Sequence, residues 1–311
     1  MLEAWPSSGE VNAAVAERIT RLLDEHGGPV AELAYRTMRV DRGVLSAQPH
    51  SLTSVLVAGA CLAAGADWPA ALWPAAGAEC MMAAADLFDD VADADPGFEL
   101  GGAPGVVLTA AAGILSLAGA AIMRVVDDGA SPTIAVALGQ LLGDEFARAA
   151  NGQAINLQPG VSPLDPLTAY RQAAAKSGPL GSLIARLGAR TATDNAEIVD
   201  LLGQFGRRLG VRSQLLNDAR DSAPGALTHK ADVRAGARTV PLAFANSTGA
   251  PGGLTDGELA TWEVLERERI AAAGGQTAVH ALAEAERLGA VHAVNTLERL
   301  GCPVAGLRQL I

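Results

Sequence analysis

The sequence predicts an all-α fold, and three observations carry that expectation. No stretch alternates with a period of two for long, and β-branched residues are sparse. Segments with apolar residues at helical spacing recur along the 311 residues and are cut by Gly/Pro-rich breaks. Ala and Gly dominate while aromatics supply only 4%, a composition suited to helices packed closely through small side chains.

The elements follow in chain order. The first stretch, "MLEAWPSSGEVNAAVAERIT", lacks the basic and apolar regions of a secretory signal. An apolar helix starts near Leu52 and stops at "GADWP". Pro74 fits the first turn of the next helix, which runs into "CMMAAADLFDDVADAD". Leu100 to Met123 carries no charge and is long enough to span a bilayer. Its Gly, Ala, Ser and Thr content and the lack of Lys/Arg-biased flanks favour a buried central helix. Two further helices carry "YRQAAAKSGPLGSL" and "QLLNDARD", and "NSTGAPGGLTDG" (246–257) is the longest break. The last segment, "QTAVHALAEAERLGAVHAVNTLERL", is an amphipathic helix. No repeat or linker divides the chain, so residues 1–311 are expected to form one domain of many helices, several of them fully buried.

Charge narrows the function. The net charge is −11, and no Lys/Arg cluster offers a footprint for nucleic acid. An anionic substrate would need local cations or metal ions. Cys61, Cys80 and Cys302 are scattered, with no CxxC pair, as expected of a reduced, cytoplasmic protein without a transmembrane segment.

The first acidic cluster follows the apolar turn "MMAAA" directly. On a helix Asp89 and Asp93 share a face, and Asp86 and Asp90 form a second i, i+4 pair. Like charges at that spacing destabilise a bare helix, and the negative helix C-terminus adds to the cost. Bound divalent cations would offset both; Mg²⁺ favours carboxylate, water and phosphate oxygens. The second cluster repeats the idea: Gln214, Asp218 and Asp221 share one face, and Asn217 pairs with Asp221. Between the clusters, Lys176 follows three alanines and precedes Ser177, a pair that could bind a phosphate.

The order of these motifs resembles the trans-isoprenyl diphosphate synthase (polyprenyl synthetase) superfamily, as a divergent member close to class I terpene synthases. Its DDxxD motif is similar to "DDVAD" (Asp89, Asp90, Asp93), its GQ motif to Gly152-Gln153, and its KTG motif to Lys176-Ser177-Gly178. Its second aspartate motif is similar to "QLLNDARD" (Gln214, Asn217, Asp218, Asp221), and its D…GKxTxP motif to Asp232 to Pro241. The resemblance implies an isoprenoid synthase-type bundle with a deep central cavity, usually homodimeric. It implies three Mg²⁺ ions on Asp89, Asp90, Asp93, Asn217, Asp218 and Asp221, gripping an allylic diphosphate. Asp89, Asp93, Lys176 and Gln214 would be catalytic. Substrate would also meet Gln153, Ser177, Arg212, Lys230, Arg238 and Phe88. Ala84 and Ala85, small where short-chain members carry bulky plugs, imply a deep pocket for a C15 or C20 tail, with Met81 or Met82 as floor.

The departures matter as much. The isopentenyl diphosphate site of elongating members uses a GKxxRP-like motif, and the region before Leu52 reads "LSAQPHSLTSV". The Arg pair expected after DDxxD is missing from "ADPGFELGGAPG". Burying a second diphosphate without cations would be prohibitive. The lysine of GKxT is Ala237, beside Arg238, which either does or does not take its place; Lys230 sits closer to Asp232 than the family spacing, and Arg212, unusual for its place, either contacts diphosphate or faces solvent between helices. The expectation is therefore Mg²⁺-dependent ionisation of an allylic diphosphate, then cyclisation or water capture. Transfer to a non-isopentenyl acceptor, or elongation with Arg36, Arg39 and Arg42 supplying charge, stay open. Scarce aromatics (Phe88, Phe146, Phe205, Tyr170, Trp73) count against elaborate cyclisation.

Overall fold

The computed structural model describes residues 5–38, 52–92, 103–157, 165–226 and 232–311, and the backbone alone at 40–41 and 44–45. The architecture is all-α. In order the helices are α1 (Ser8–His26), α2 (Gly28–Thr37), α3 (Leu52–Ala63), α4 (Leu72–Ala92), α5 (Pro104–Met123), α6 (Pro132–Leu157), α7 (Pro166–Ala192), α8 (Ala196–Asp221), α9 (Asp232–Ala235), α10 (Val240–Ala245), α11 (Asp256–Ala272) and α12 (Gly275–Arg299). A two-residue antiparallel pair, β1 (Val40–Asp41) with β2 (Val44–Leu45), is the exception among the described residues.

Local chemistry sets the helix starts. Ser7 and Glu10 form a reciprocal capping box on α1, and Thr255 and Glu258 do the same on α11. Asp165 caps α7 just before Pro166, and Asn195 caps α8 through the Glu197 and Ile198 amides.

Two helices occupy the middle. The long α7 packs on α3, α6 and α8, while α4 packs on α1, α3, α5 and α7. The main apolar cluster gathers α1 to α8 with α12, and a smaller one joins α7, α8, α10 and α12. Small residues let backbones touch: a Cβ at Gly181 of α7 would overlap the Gly206 carbonyl of α8, and one at Gly210 would lie 2.6 Å from the Ser177 oxygen.

One expectation is corrected. The uncharged segment is not a fully buried central helix. A stripe of α5 through Val107, Ala110, Ile114, Ala118 and Ile122 is buried, and the helix packs on α2, α4 and α6. Val106, Leu108 and Met123 on its other side are 57%, 41% and 46% exposed. The helix is apolar all round, but among the described residues its helical neighbours cover one face. Pro104–Asp128 has a mean hydropathy of 2.2 and is long and apolar enough to cross a membrane, with 44% of its apolar window buried. Cys61 and Cys80 are buried, and desolvation pushes both thiols up to about 12, so they are inert packing residues.

Candidate active site

The C-terminal halves of α4 and α8 and the middle of α7 surround a cavity of about 320 Å³. Its rim holds Asp86 and Asp89 of α4, Lys176 and Ser177 of α7, and Gln214, Asn217, Asp218 and Asp221 of α8. Asp232, Arg238 and Thr239 close the rim on one side. Below lie Leu56, Met82, Ala85, Leu180, Ile184 and Leu209, with the Gly181–Gly206 contact as inner wall. A polar mouth therefore stands over an apolar shaft.

Lys176 owes its position to a break in α7. Pro179 has no N–H, so the Ala175 carbonyl loses its intrahelical donor. Gly152 of α6 packs against this freed peptide, and a Cβ there would stand 2.6 Å from the Lys176 nitrogen. The close approach brings α6 to the site: Gln153 Nε2 and Lys176 Nζ each donate to Asp89 Oδ1 at 2.6 Å. Lys176 has three donor protons and spends one here, leaving two for an anion.

The second network spans α7 and α8. Ser177 Oγ donates to Gln214 Oε1 at 2.9 Å, and Gln214 Nε2 donates to Asp218 Oδ1 at 2.8 Å. A hydroxyl has one proton, so Ser177 in this arrangement orients Gln214 and does not donate to a phosphate. Asp218 is buried, and desolvation raises its pKa to about 7; Asp232 and Asp221 push the same way, against Gln214 and Lys176.

The rest of the expected set divides clearly. Ala85 and Met82 line the cavity, whereas Ala84 and Met81 are sealed in the core. Arg238 lines the rim. Phe88 packs against the core instead, Asp90 does not line the cavity, and Gln153 reaches it only through Asp89. Arg212 is also off the cavity, because its face of α8 turns to α12, where its charge acts on Glu284. Asp93 and Lys230 lie outside the described residues. No aromatic side chain lines the cavity among the described residues. Trp73 is instead fully buried elsewhere, with the Arg18, Arg21 and Arg124 guanidinium groups within 5.2 Å of its ring.

Asp86 of the first acidic cluster and Asp232 of the last motif line the cavity as well, and so do two residues outside the motifs, Asn156 and Gln172. Helical spacing could have found both of the latter: Asn156 is one turn after Gln153, and Gln172 one turn before Lys176.

The donor set suits a hard divalent cation. Among the described residues no three His, Cys, Asp or Glu side chains converge into a ready-made ligand cage. Mg²⁺ rarely needs one, since one or two carboxylates, waters and a substrate phosphate complete its shell. Gln172, which lines the cavity, has a buried amide oxygen, Oε1, without a hydrogen-bond partner. Such an oxygen could accept from metal-bound water.

The sequence matches no family model and no curated protein. Solved structures do match over nearly the whole chain. One is a geranylgeranyl pyrophosphate synthetase from the archaeon Geoglobus acetivorans (TM-score 0.79, 17% identity, 98% of this chain and 97% of that one). Another is a polyprenyl synthetase from Streptomyces coelicolor A3(2) (TM-score 0.78, 16% identity, 97% and 95%). A third is a geranylgeranyl pyrophosphate synthase from Corynebacterium glutamicum, complexed with isoprenyl diphosphate and magnesium (TM-score 0.74, 19% identity, 98% and 97%). The chain has the isoprenyl diphosphate synthase fold. Within that fold the cavity brings together motifs that lie up to 149 positions apart in the sequence, from Asp89 to Arg238.

Proposed function

We propose that this protein is a divergent member of the isoprenyl diphosphate synthase superfamily that ionises an allylic prenyl diphosphate, C15 or C20, without isopentenyl diphosphate. The observation that carries the reading is the single cavity in which Asp89–Lys176 and Gln214–Asp218 face each other over an apolar shaft. The prenyl diphosphate bound by the Corynebacterium glutamicum enzyme of like fold supports the substrate class.

Asp89 and Asp93 on one side and Asn217, Asp218 and Asp221 on the other would hold magnesium, with three ions as the proposed number; Asp90, off the cavity, leaves that set. Magnesium bound there would neutralise charge on the departing diphosphate. Lys176 would donate its two remaining protons to the same group, and Arg238 stands on the rim to add charge. Gln153 and Lys176 fix Asp89, while Ser177 and Gln214 fix Asp218. Asp218 would give up its proton to serve as a ligand. Heterolysis sends the C–O electron pair out with diphosphate and leaves an allylic cation in the shaft, shielded from bulk water by Leu56, Leu180 and Leu209. Capture by water then gives a prenyl alcohol and a proton.

A second reading is transfer of the prenyl group to a neutral acceptor other than isopentenyl diphosphate. The absence of ring faces among the described lining residues favours it over multi-step cyclisation. Elongation is the third reading. It has against it the lack of Lys and Arg in "ADPGFELGGAPG" and the place of Arg36, which is exposed and off the cavity.

The chain is read as one synthase-like domain, the cavity drawing on Leu52 through Thr239. A cytoplasmic homodimer is proposed, in which the open apolar side of α5 meets its symmetry mate. The deciding experiment incubates the protein and Mg²⁺ with C10, C15 and C20 allylic diphosphates, with and without isopentenyl diphosphate, and reads products by mass. Alcohol or hydrocarbon without isopentenyl diphosphate supports the reading; products five carbons longer would replace it with elongation. Asp89→Ala should abolish turnover, and retained turnover would refute the role of Asp89.

A further inference from the structure

The acidic end of α8 is held by residues outside every motif. A helix leaves its last carbonyls without intrahelical donors, and its C-terminus carries partial negative charge. Here that end also bears Asp218 and Asp221, so the local charge is unfavourable three times over. Three side chains answer it. Ser222 Oγ donates back to the Asp218 carbonyl at 2.6 Å. Gln276 Nε2, from the first turn of α12, donates at 3.0 Å both to the Ala219 carbonyl and to Ser222 Oγ. Arg267 of α11 donates through Nη1 to the Asp221 carbonyl. Arg267 is only 7% exposed, although a guanidinium is costly to bury, and Ser222 is 1% exposed.

We infer that Arg267 and Gln276 are positioning residues for the second acidic wall, and that they set how tightly the site takes a divalent cation with diphosphate. The inference rests on the proposed function. The argument is one of order. Asp218 and Asp221 stand on the final turn of α8, where helices fray unless their carbonyls are satisfied. A ligand group must be held within about half an ångström of its productive place to keep its affinity. Arg267 does this from a position 46 residues beyond Asp221, and Gln276 from one 57 residues beyond Ala219. Arg267 also brings a positive charge close to a wall that should attract cations. Loss of that charge alone would tighten metal binding and weaken anion binding, so the Mg²⁺ requirement of the Arg267 variant and the pyrophosphate binding of the uncharged Gln276 variant separate ordering from charge.

The test is calorimetric titration of inorganic pyrophosphate into the full-length protein in excess Mg²⁺, with folding checked by circular dichroism and thermal melting. Arg267→Met and Gln276→Leu should each weaken pyrophosphate binding by about tenfold or more, and Arg267→Lys should recover part of the loss. The concentration of Mg²⁺ giving half-maximal turnover of the allylic substrate should rise in the same order, with less change in turnover at saturating metal. Unchanged or tighter pyrophosphate binding in both truncations would overturn the inference. If Arg267→Met does not fold, Gln276→Leu alone decides. If the wild-type protein itself does not bind Mg²⁺ and pyrophosphate, the proposed function fails; if it binds and the variants match it, only the positioning role fails.

Discussion

Replacing Asp218 by Asn should change how stability depends on pH. Burial lifts the Asp218 pKa from 3.8 to about 7. Between those values the folded protein holds a proton that the unfolded chain has released. The stabilisation is complete below the unfolded value and is lost as pH rises through the folded one. At about 1.4 kcal/mol per unit, roughly three units give an effect on the order of 4 kcal/mol as an upper figure. Asn is neutral at every pH and keeps an oxygen for the Gln214 amide. In urea unfolding with chelator present, the two proteins should match near pH 4, and the variant should be increasingly the more stable towards pH 8. All other carboxylates titrate in both proteins, so the difference isolates this one. Parallel stability curves across that range would refute the burial argument. The same variant should lose Mg²⁺-dependent pyrophosphate binding, which links stored instability to function.

Three further outcomes are expected. Gly152→Ala must open the α6–α7 contact by roughly an ångström, because its Cβ would meet the Lys176 nitrogen at 2.6 Å against an ordinary contact of 3.4 Å or more. The displacement should cost about 10²-fold in kcat/KM and 1–3 kcal/mol, on the order of other overpacking changes, measured by steady-state kinetics and urea titration. Ala85→Phe should fill the shaft beside Met82 and shift preference to a shorter allylic diphosphate, seen as a changed order of kcat/KM across C10, C15 and C20. Leu108→Glu, on the open face of α5, should turn the proposed dimer into a monomer by light scattering with its helix content unchanged, and a wild-type protein that is itself monomeric would refute the dimer.

Much of this was legible in the sequence, and the reasons differ by residue. Helix positions followed from apolar periodicity and Gly/Pro breaks, and the acidic pairs followed from i, i+4 geometry, because both are local. The break at 246–257 separates α10 from α11 as the turn residues require. Lys176 was legible as a cation on an apolar helix, but its pairing with Asp89 was not, since that depends on Pro179 and Gly152 bringing three helices together. The same distance problem hid Ser177. A hydroxyl beside a lysine suggests a phosphate ligand until the neighbouring helix supplies Gln214. Arg212 and Phe88 were misplaced for a related reason: a residue on a motif-bearing helix need not share the motif's face. The half-open state of α5 was beyond the sequence, because composition reports that a helix is apolar but not how many neighbours reach it.

The meeting of α7 and α8 at Gly181 and Gly206 constrains what this scaffold can become. Where two main chains already touch, there is no side chain to trim, so that wall is fixed. Room for a longer lipid can be gained only at the side chains around that contact: Leu56 on α3, Met82 on α4, Leu180 and Ile184 on α7, and Leu209 on α8. Variation in product size among descendants of such a protein should therefore be written in those side chains and not at the two glycines.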